Sequence, residues 1–145
     1  MIKIEYPPYQ PKIKKEQGKE FIFDDIRKQW IMLTPEEWVR QNFLQYLIHV
    51  KKYPAALMAV EKELMLGELK KRADIVVFGT DSKPWLMVEC KEMNVPIDEK
   101  TLQQILRYRI SVPVRFIVVT NGSYCFAFEL KDGSFIEINE LPVHA

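Results

Sequence analysis

The sequence predicts one small α/β domain, a mixed central sheet flanked by helices in the order α-β-β-β-α-β-β. Three observations lead there. Thr34-Pro35-Glu36-Glu37 is a helix start followed by apolar residues at helical spacing. Ala73-Asp74-Ile75-Val76-Val77-Phe78 and Trp85-Leu86-Met87-Val88-Glu89-Cys90-Lys91 are apolar strands on either side of a turn. Phe116-Ile117-Val118-Val119 is a continuous apolar run beyond a second helical stretch. The length of 145 residues suits one such domain, since a chain of that size buries roughly 70% of the surface it exposes when unfolded.

Residues 1–33 carry several prolines and mixed charge around Phe21-Ile22-Phe23 and Trp30-Ile31-Met32-Leu33. They predict an arm with short strands packed on the domain formed by residues 34–145, with no linker to set it apart. In the first helix Thr34 can cap, Pro35 suits the first helical position and Glu37 falls three residues after the cap. Val39, Phe43, Tyr46, Leu47 and Val50 then recur at helical spacing until Tyr53-Pro54 ends the helix. Ala55 to Leu66 reads as a strand around Leu57 to Glu63, although its Met, Leu and Glu content also suits a helix.

Gly79-Thr80-Asp81-Ser82 is the turn signal that makes the next two strands a hairpin. Asp98 can cap a second helix whose Leu102, Ile105 and Leu106 face the sheet, and Pro113 marks its far side. The run at 116–119 has the pattern of a strand buried on both faces and reached by a helical crossover. Asn121-Gly122 favours a tight turn into Tyr124-Cys125-Phe126-Ala127-Phe128, and Phe135-Ile136-Glu137-Ile138 is a candidate last strand.

Composition narrows the setting more than the function. Apolar residues make up 48% and charged residues 28%, too apolar for disorder and ordinary for a globular chain. Cys90 and Cys125 sit inside apolar runs and no Cys/His pair has zinc-ligand spacing, so reduced thiols in a cytoplasmic setting are expected. No signal-peptide core opens the chain and no run approaches the ~20 apolar residues of a membrane span, so no membrane partner is expected. A net charge of +1 announces no partner. Local clusters at Lys12, Lys14 and Lys15, at Lys70, Lys71 and Arg72, and at Arg107 and Arg109 are candidates for phosphate contact, although such clusters are more often solvated surface.

The chemistry concentrates in the hairpin. Alternation puts Asp74 on a face with Val76 and Phe78, and Glu89 and Lys91 on a face with Trp85 and Met87. In the natural register two carboxylates and one amine converge at one end of the sheet. Hard cations such as Mg²⁺ take one or two carboxylates plus water and phosphate oxygens, and Asp74 with Glu89 offers that seat, with the Cys90 backbone carbonyl as a further ligand. Lys91 is then placed to orient or deprotonate an attacking water, or to steady charge on a phosphate. The bland alternative is that Glu-x-Lys arises by chance and that charges at strand ends are solvated. Against it, an acid opens one apolar strand and Glu-x-Lys closes the next, where charges are costly to bury unless paired or metal-bound.

These residues resemble the PD-(D/E)xK nuclease superfamily, and most closely the N-terminal nuclease domain of type I restriction enzyme R subunits. Arg72 to Phe78 and Val88-Glu89-Cys90-Lys91 are similar to its two catalytic strands. The likeness extends to Pro35-Glu36-Glu37-Trp38-Val39-Arg40-Gln41, to Gln104-Ile105-Leu106-Arg107-Tyr108 and to Thr120-Asn121-Gly122. It implies a restriction-endonuclease-like core and hydrolysis of DNA phosphodiester bonds with Mg²⁺ or Mn²⁺. Asp74 and Glu89 would hold the metal, Lys91 would be the catalytic lysine, and Glu37 would assist at the metal. Gln104 and Tyr108, four apart on one helix face, match a Gln-x-x-x-Tyr element of several such nucleases. Glu37 also completes a capping box with Thr34, and Gln104 with Tyr108 equally suits a polar edge of a packing face.

The chain has no Gly-x-x-x-x-Gly-Lys-Ser/Thr phosphate loop, so it is not expected to drive DNA translocation itself. The expected partners are DNA and a separate motor or specificity protein, and a homodimer stays open. Two other readings remain beside the nuclease: a non-catalytic DNA-binding or partner-binding module of the same fold, and a structural domain in which Asp74 and Lys91 form an ion pair. Without metal, two carboxylates held close repel, so one is expected to titrate high and Asp74→Asn to be at least as stable as the parent.

Overall fold

The computed structural model describes residues 1–66, 69–109 and 114–144, and leaves the side chains of Leu66, Leu69, Lys71 and Tyr108 outside the description. Among the described residues thirteen elements follow one another, a short 3₁₀ turn among them. Strands β1 (Ile2–Lys3), β2 (Ile13–Glu16), β3 (Lys19–Asp24) and β4 (Gln29–Met32) precede helix α1 (Pro35–His49). Strands β5 (Met58–Leu66), β6 (Leu69–Phe78) and β7 (Pro84–Cys90) lead to helix α2 (Glu99–Arg109). Strands β8 (Phe116–Thr120), β9 (Tyr124–Lys131) and β10 (Ser134–Ile138) follow. Pro113, expected to mark the far side of α2, lies outside the described residues.

One sheet has the order β1-β9-β8-β7-β6-β5, with β10 also on β9, and β2-β3-β4 form a separate antiparallel sheet. The main sheet is mixed because β7 and β8 run parallel, joined through α2, while its other pairs are antiparallel. All five residues of β8 are buried, as the unbroken apolar run requires of a strand covered on both faces. On one face α1 contributes Phe43, Leu44 and Leu47 to a core with Ile75, Val77, Leu86, Val88 and Val118. On the other, Leu102 of α2 packs with Val76, Met87, Ile117 and Val119, and Ile105 and Leu106 cover them.

Helix α1 starts where its cap chemistry dictates. Thr34 Oγ1 accepts the Glu37 amide at 3.0 Å, Pro35 takes the first turn, and the acids Glu36 and Glu37 face the positive end of the helix dipole. Val39, Phe43, Tyr46 and Leu47 are buried, but Val50, at the C-cap, is 42% exposed because the helix is already ending there. Asp98 caps α2 through the Thr101 amide at 2.8 Å. The segment read ambiguously as strand or helix starts as a short 3₁₀ turn, Ala55–Leu57, and continues as β5.

Two departures from strict alternation matter. The register shifts between Val77 and Phe78, so Trp85 packs into the α1-side core against Tyr53 and Phe116 and does not share the face of Met87. On β6, Ala73 belongs to the α2-side core but Ile75 to the α1-side core, although they are two residues apart. The break falls at Asp74, which, like Glu61 at φ +53, is skipped by the β5–β6 ladder between Val60/Ile75 and Lys62/Ala73. Gly122, at φ +90 in the β8–β9 turn, needs to be glycine: an added Cβ would lie 3.2 Å from Val39 on α1.

Candidate functional site

Strands β6 and β7 pair from Phe78/Pro84 to Ile75/Val88 and then part, while β6 goes on pairing with β5 and β7 with β8. Asp74 and Glu89 are the next residues on the two strands, so both stand where the sheet splays. A cleft of about 550 Å³ opens there, and both carboxylates line it together with Glu36, Arg40, Glu61 and Arg72. The arm supplies one wall through Ile31 and Met32.

The Asp74 carboxylate does the work of the lost ladder. Oδ2 accepts the Cys90 amide at 2.8 Å, and Oδ1 accepts from Arg40 Nη2 of α1 at 2.7 Å. Asp74 therefore turns toward α1 and the neighbouring strand, and strict alternation with Val76 and Phe78 does not describe it. Glu89 is approached from the other helix: Arg109 Nη2 of α2 donates to Oε2 at 2.9 Å and to the Arg72 carbonyl at 2.6 Å. Lys91 Nζ is 3.9 Å from Glu89 Oε1, and its backbone amide donates to the Thr120 carbonyl at 2.8 Å. The ion-pair partner of Asp74 is thus Arg40, and that of Lys91 is Glu89, in place of an Asp74–Lys91 pair.

Charge and burial make this a high-tension corner. Burial and then the nearby Asp74 raise the Glu89 carboxyl above its ordinary value, against the pull of Arg109 and Lys91. Glu36 is raised by burial and by Asp74 and Glu89, with Arg40 and Lys91 opposing. For Arg40, burial disfavours the charge, but its hydrogen bond to Asp74 and the charges of Glu37 and Asp74 outweigh it and hold the guanidinium above its ordinary value.

Glu37 lines the same cleft as Asp74 and Glu89, and its carboxylate is engaged by neighbours within the helix and the arm. It is buried at 4% exposure, and its carboxylate accepts from Arg40 Nη1, from Arg27 Nη2 at 2.9 Å and from Gln41 Nε2 at 2.9 Å. Its neighbour Glu36 is the half-exposed acid whose titration feels Asp74 and Glu89. Asp24 completes the network, accepting from Arg27 Nε at 2.6 Å and Gln41 Nε2 at 2.8 Å. A continuous set of charges therefore runs from the arm, through α1, to Asp74. Sequence reasoning passed over Glu36 and Arg40, which stood in the helix segment quoted for Glu37, and it offered Arg109 for phosphate contact where the structure pairs it with Glu89.

Gln104 is exposed and lines a second cleft, of about 370 Å³, with Ile105, Arg109 and Glu89. Glu89 thus borders both clefts, and Gln104 reaches its α2 side. The Tyr108 side chain lies outside the described residues. Asn121 ties the loop after β8, donating to the Val95 carbonyl at 3.0 Å and accepting the Ser123 amide at 3.0 Å. Arg109 is buried and serves Glu89, Arg72 is exposed and pairs with Glu61 at 3.0 Å, and Arg107 is exposed. The Cys90 and Cys125 thiols are free and buried in the α1-side core, with Cys90 turned away from Glu89. Among the described residues no group of three or more His, Cys, Asp or Glu side chains is arranged to hold a metal ion.

Residues 35–142 match the family described as type I restriction enzyme R protein N terminus. The chain belongs to this family. The match is to a nuclease-related domain and covers both helices, the strands β5 to β10, and Asp74, Glu89 and Lys91. Strands β1 to β4 fall outside it, and so does the arm that walls the cleft. A comparison with curated proteins finds no match. Among the described residues no helix is long and apolar enough to cross a membrane.

Proposed function

We propose that this protein hydrolyses phosphodiester bonds in DNA, using Mg²⁺ or Mn²⁺ held between Asp74 and Glu89 on a restriction-endonuclease-like core. The observation that carries the reading is the splay: two carboxylates from adjacent strands line one solvent-open cleft with an ammonium 3.9 Å from one of them. The donor set fits a hard cation. Carboxylate oxygens plus water and phosphate oxygens are what Mg²⁺ takes, and a cluster of three protein ligands is not required. Glu36 and Glu89 are held above their ordinary values partly by Asp74, and a bound cation relieves that repulsion.

Asp74 and Glu89 would hold the metal, with the Cys90 carbonyl as a further ligand. When bound, the ion supplies Lewis-acid polarisation of the phosphate and a water of lowered pKa. Arg40 gives up Oδ1 of Asp74 while keeping Glu37, which its separate nitrogens allow. Lys91 orients the attacking water or steadies charge on the phosphate, and Glu89 holds its ammonium near the cleft. Gln104 and Tyr108 would contact DNA or position Glu89 from α2, and Glu37 positions Arg40. DNA is the substrate, and a motor or specificity subunit in the cytoplasm is the expected partner.

The paired guanidinium groups on both carboxylates favour a second reading, a DNA- or partner-binding module without chemistry. Incubation of purified protein with linear, circular and single-stranded DNA, with Mn²⁺ or with chelator, separates the two. Mn²⁺-dependent products that vanish in Asp74→Asn support the nuclease, and binding without products in any arm supports the module.

A further inference from the structure

The arm sheet has two unlike faces. Ile22 and Asp24 of β3 are fully buried, so Phe21 and Phe23, which alternate with them, point outward. Across the pairs Phe21–Met32 and Phe23–Trp30, β4 adds two more apolar side chains to that outer face. Trp30 is 38% and Met32 47% exposed. Phe23 and Trp30 meet edge to face at 5.3 Å, and lysines cover the rings: Lys14 Nζ lies 4.6 Å from the Trp30 centroid and Lys12 Nζ 5.8 Å from that of Phe23.

We infer that this outer face is a stacking platform for single-stranded nucleic acid, with Trp30 and Phe23 taking bases and Lys12 and Lys14 taking phosphates. Aromatic planes alternating with lysines are what an unpaired strand needs, because every base has a face to stack and every linkage a negative charge. A protein partner fits less well, since lysine is depleted from the centres of protein interfaces. A base entering over Trp30 displaces Lys14 from the ring, and its flexible stem carries the ammonium to the adjacent phosphate. The face is continuous with the site: Met32 also lines the cleft that holds Asp74 and Glu89, so a strand lying across the arm is led toward them. Binding itself does not depend on the nuclease reading, and delivery to the cleft does.

The test is binding of a fluorescein-labelled oligo(dT) 20-mer and of a duplex of equal length, in chelator, by full-length protein. Trp30→Ala should weaken oligo(dT) binding about tenfold and leave the duplex nearly unchanged, Trp30→Phe should recover most of the loss, and oligo(dT) should quench tryptophan emission. Lys14→Ala should lower the salt dependence by about one released counterion. Because Trp30 is partly exposed, an unchanged melting curve shows that the variant is folded. Equal oligo(dT) binding by parent and Trp30→Ala overturns the platform, as does a dimer in sedimentation that Trp30→Ala converts to monomer. DNA cleavage with no effect of Trp30 removes this inference and spares the nuclease, whereas Trp30-dependent binding without cleavage supports this inference and removes the nuclease.

Discussion

Arg40 and Asp74, on α1 and β6, form a buried ion pair at 2.7 Å. The pair reverses one expectation drawn from the sequence. Repulsion between Asp74 and Glu89 alone makes Asp74→Asn neutral or stabilising without metal. With Arg40 only 5% exposed at its side chain, the substitution instead leaves a buried cation short of a counter-charge. Asp74→Asn should lose roughly 1–3 kcal/mol in urea titrations in chelator. A midpoint equal to the parent's would show that Arg40 finds full compensation in Glu37 and Glu61.

Removing the cation should cost more. Arg40 serves Glu37, Glu61 and Asp74, and Arg40→Met strands buried carboxylates at a cost of about 3–5 kcal/mol. Arg40→Lys should recover part of this, because an ammonium offers one point charge where the guanidinium reaches several partners. Chemical unfolding of the three proteins checks the order.

Acid sensitivity should centre on Asp24. Its burial raises the carboxyl, but the Arg27 amide, the Arg27 side chain and Gln41 outweigh this and hold it below its ordinary value of 3.8. A depressed folded value means stability that is present above 3.8 and lost as pH falls through the folded value. Glu89 has the opposite sign: raised above 4.5, it keeps a proton in the fold that the unfolded chain has released, so its contribution declines as pH rises through that window. The parent should therefore lose stability steeply below about pH 4, and Asp24→Asn should be weaker at neutral pH but less affected by acid. Urea midpoints at pH 7 and pH 3 measure the difference.

The two thiols should be silent in the native protein. Burial pushes Cys125 up to about 12, and burial followed by the charge of Asp74 holds Cys90 well above its ordinary value. Neither should react with a disulfide reagent at neutral pH within the lifetime of the fold, and both should react on unfolding. Fast native labelling of Cys90 would mean that the splay opens to solvent from the α1 side.

Much of this architecture was legible because it is local. The Thr34 cap, the Gly79–Ser82 turn and the apolar run of β8 each follow from neighbours within a few residues. The site was legible only as far as the strands carried it: Asp74, Glu89 and Lys91 were found by their positions on apolar strands. The roles of Arg40 and Arg109 were not, because a buried arginine is distinguished from a solvated one by a carboxylate 34 or 20 residues away, which no spacing encodes. Glu36 was missed for a geometric reason. Both acids line the cleft, but one residue is about 100° of helix, enough to bury the Glu37 carboxylate against Arg27 and Arg40 and leave that of Glu36 half exposed. Asp74 is held toward α1 by Arg40 and the Cys90 amide, at a gap in the β5–β6 register where Glu61 is left-handed, and no local pattern announces that gap.

The central claim is that Asp74 and Glu89 form one metal seat, and calorimetric titration of Mn²⁺ into parent, Asp74→Asn, Glu89→Gln and Lys91→Ala proteins tests it most directly. The account predicts one Mn²⁺ per chain in the parent and in Lys91→Ala, and none at the same concentrations in Asp74→Asn or Glu89→Gln. Equal binding by all four proteins, or no binding by the parent at millimolar Mn²⁺, would contradict it.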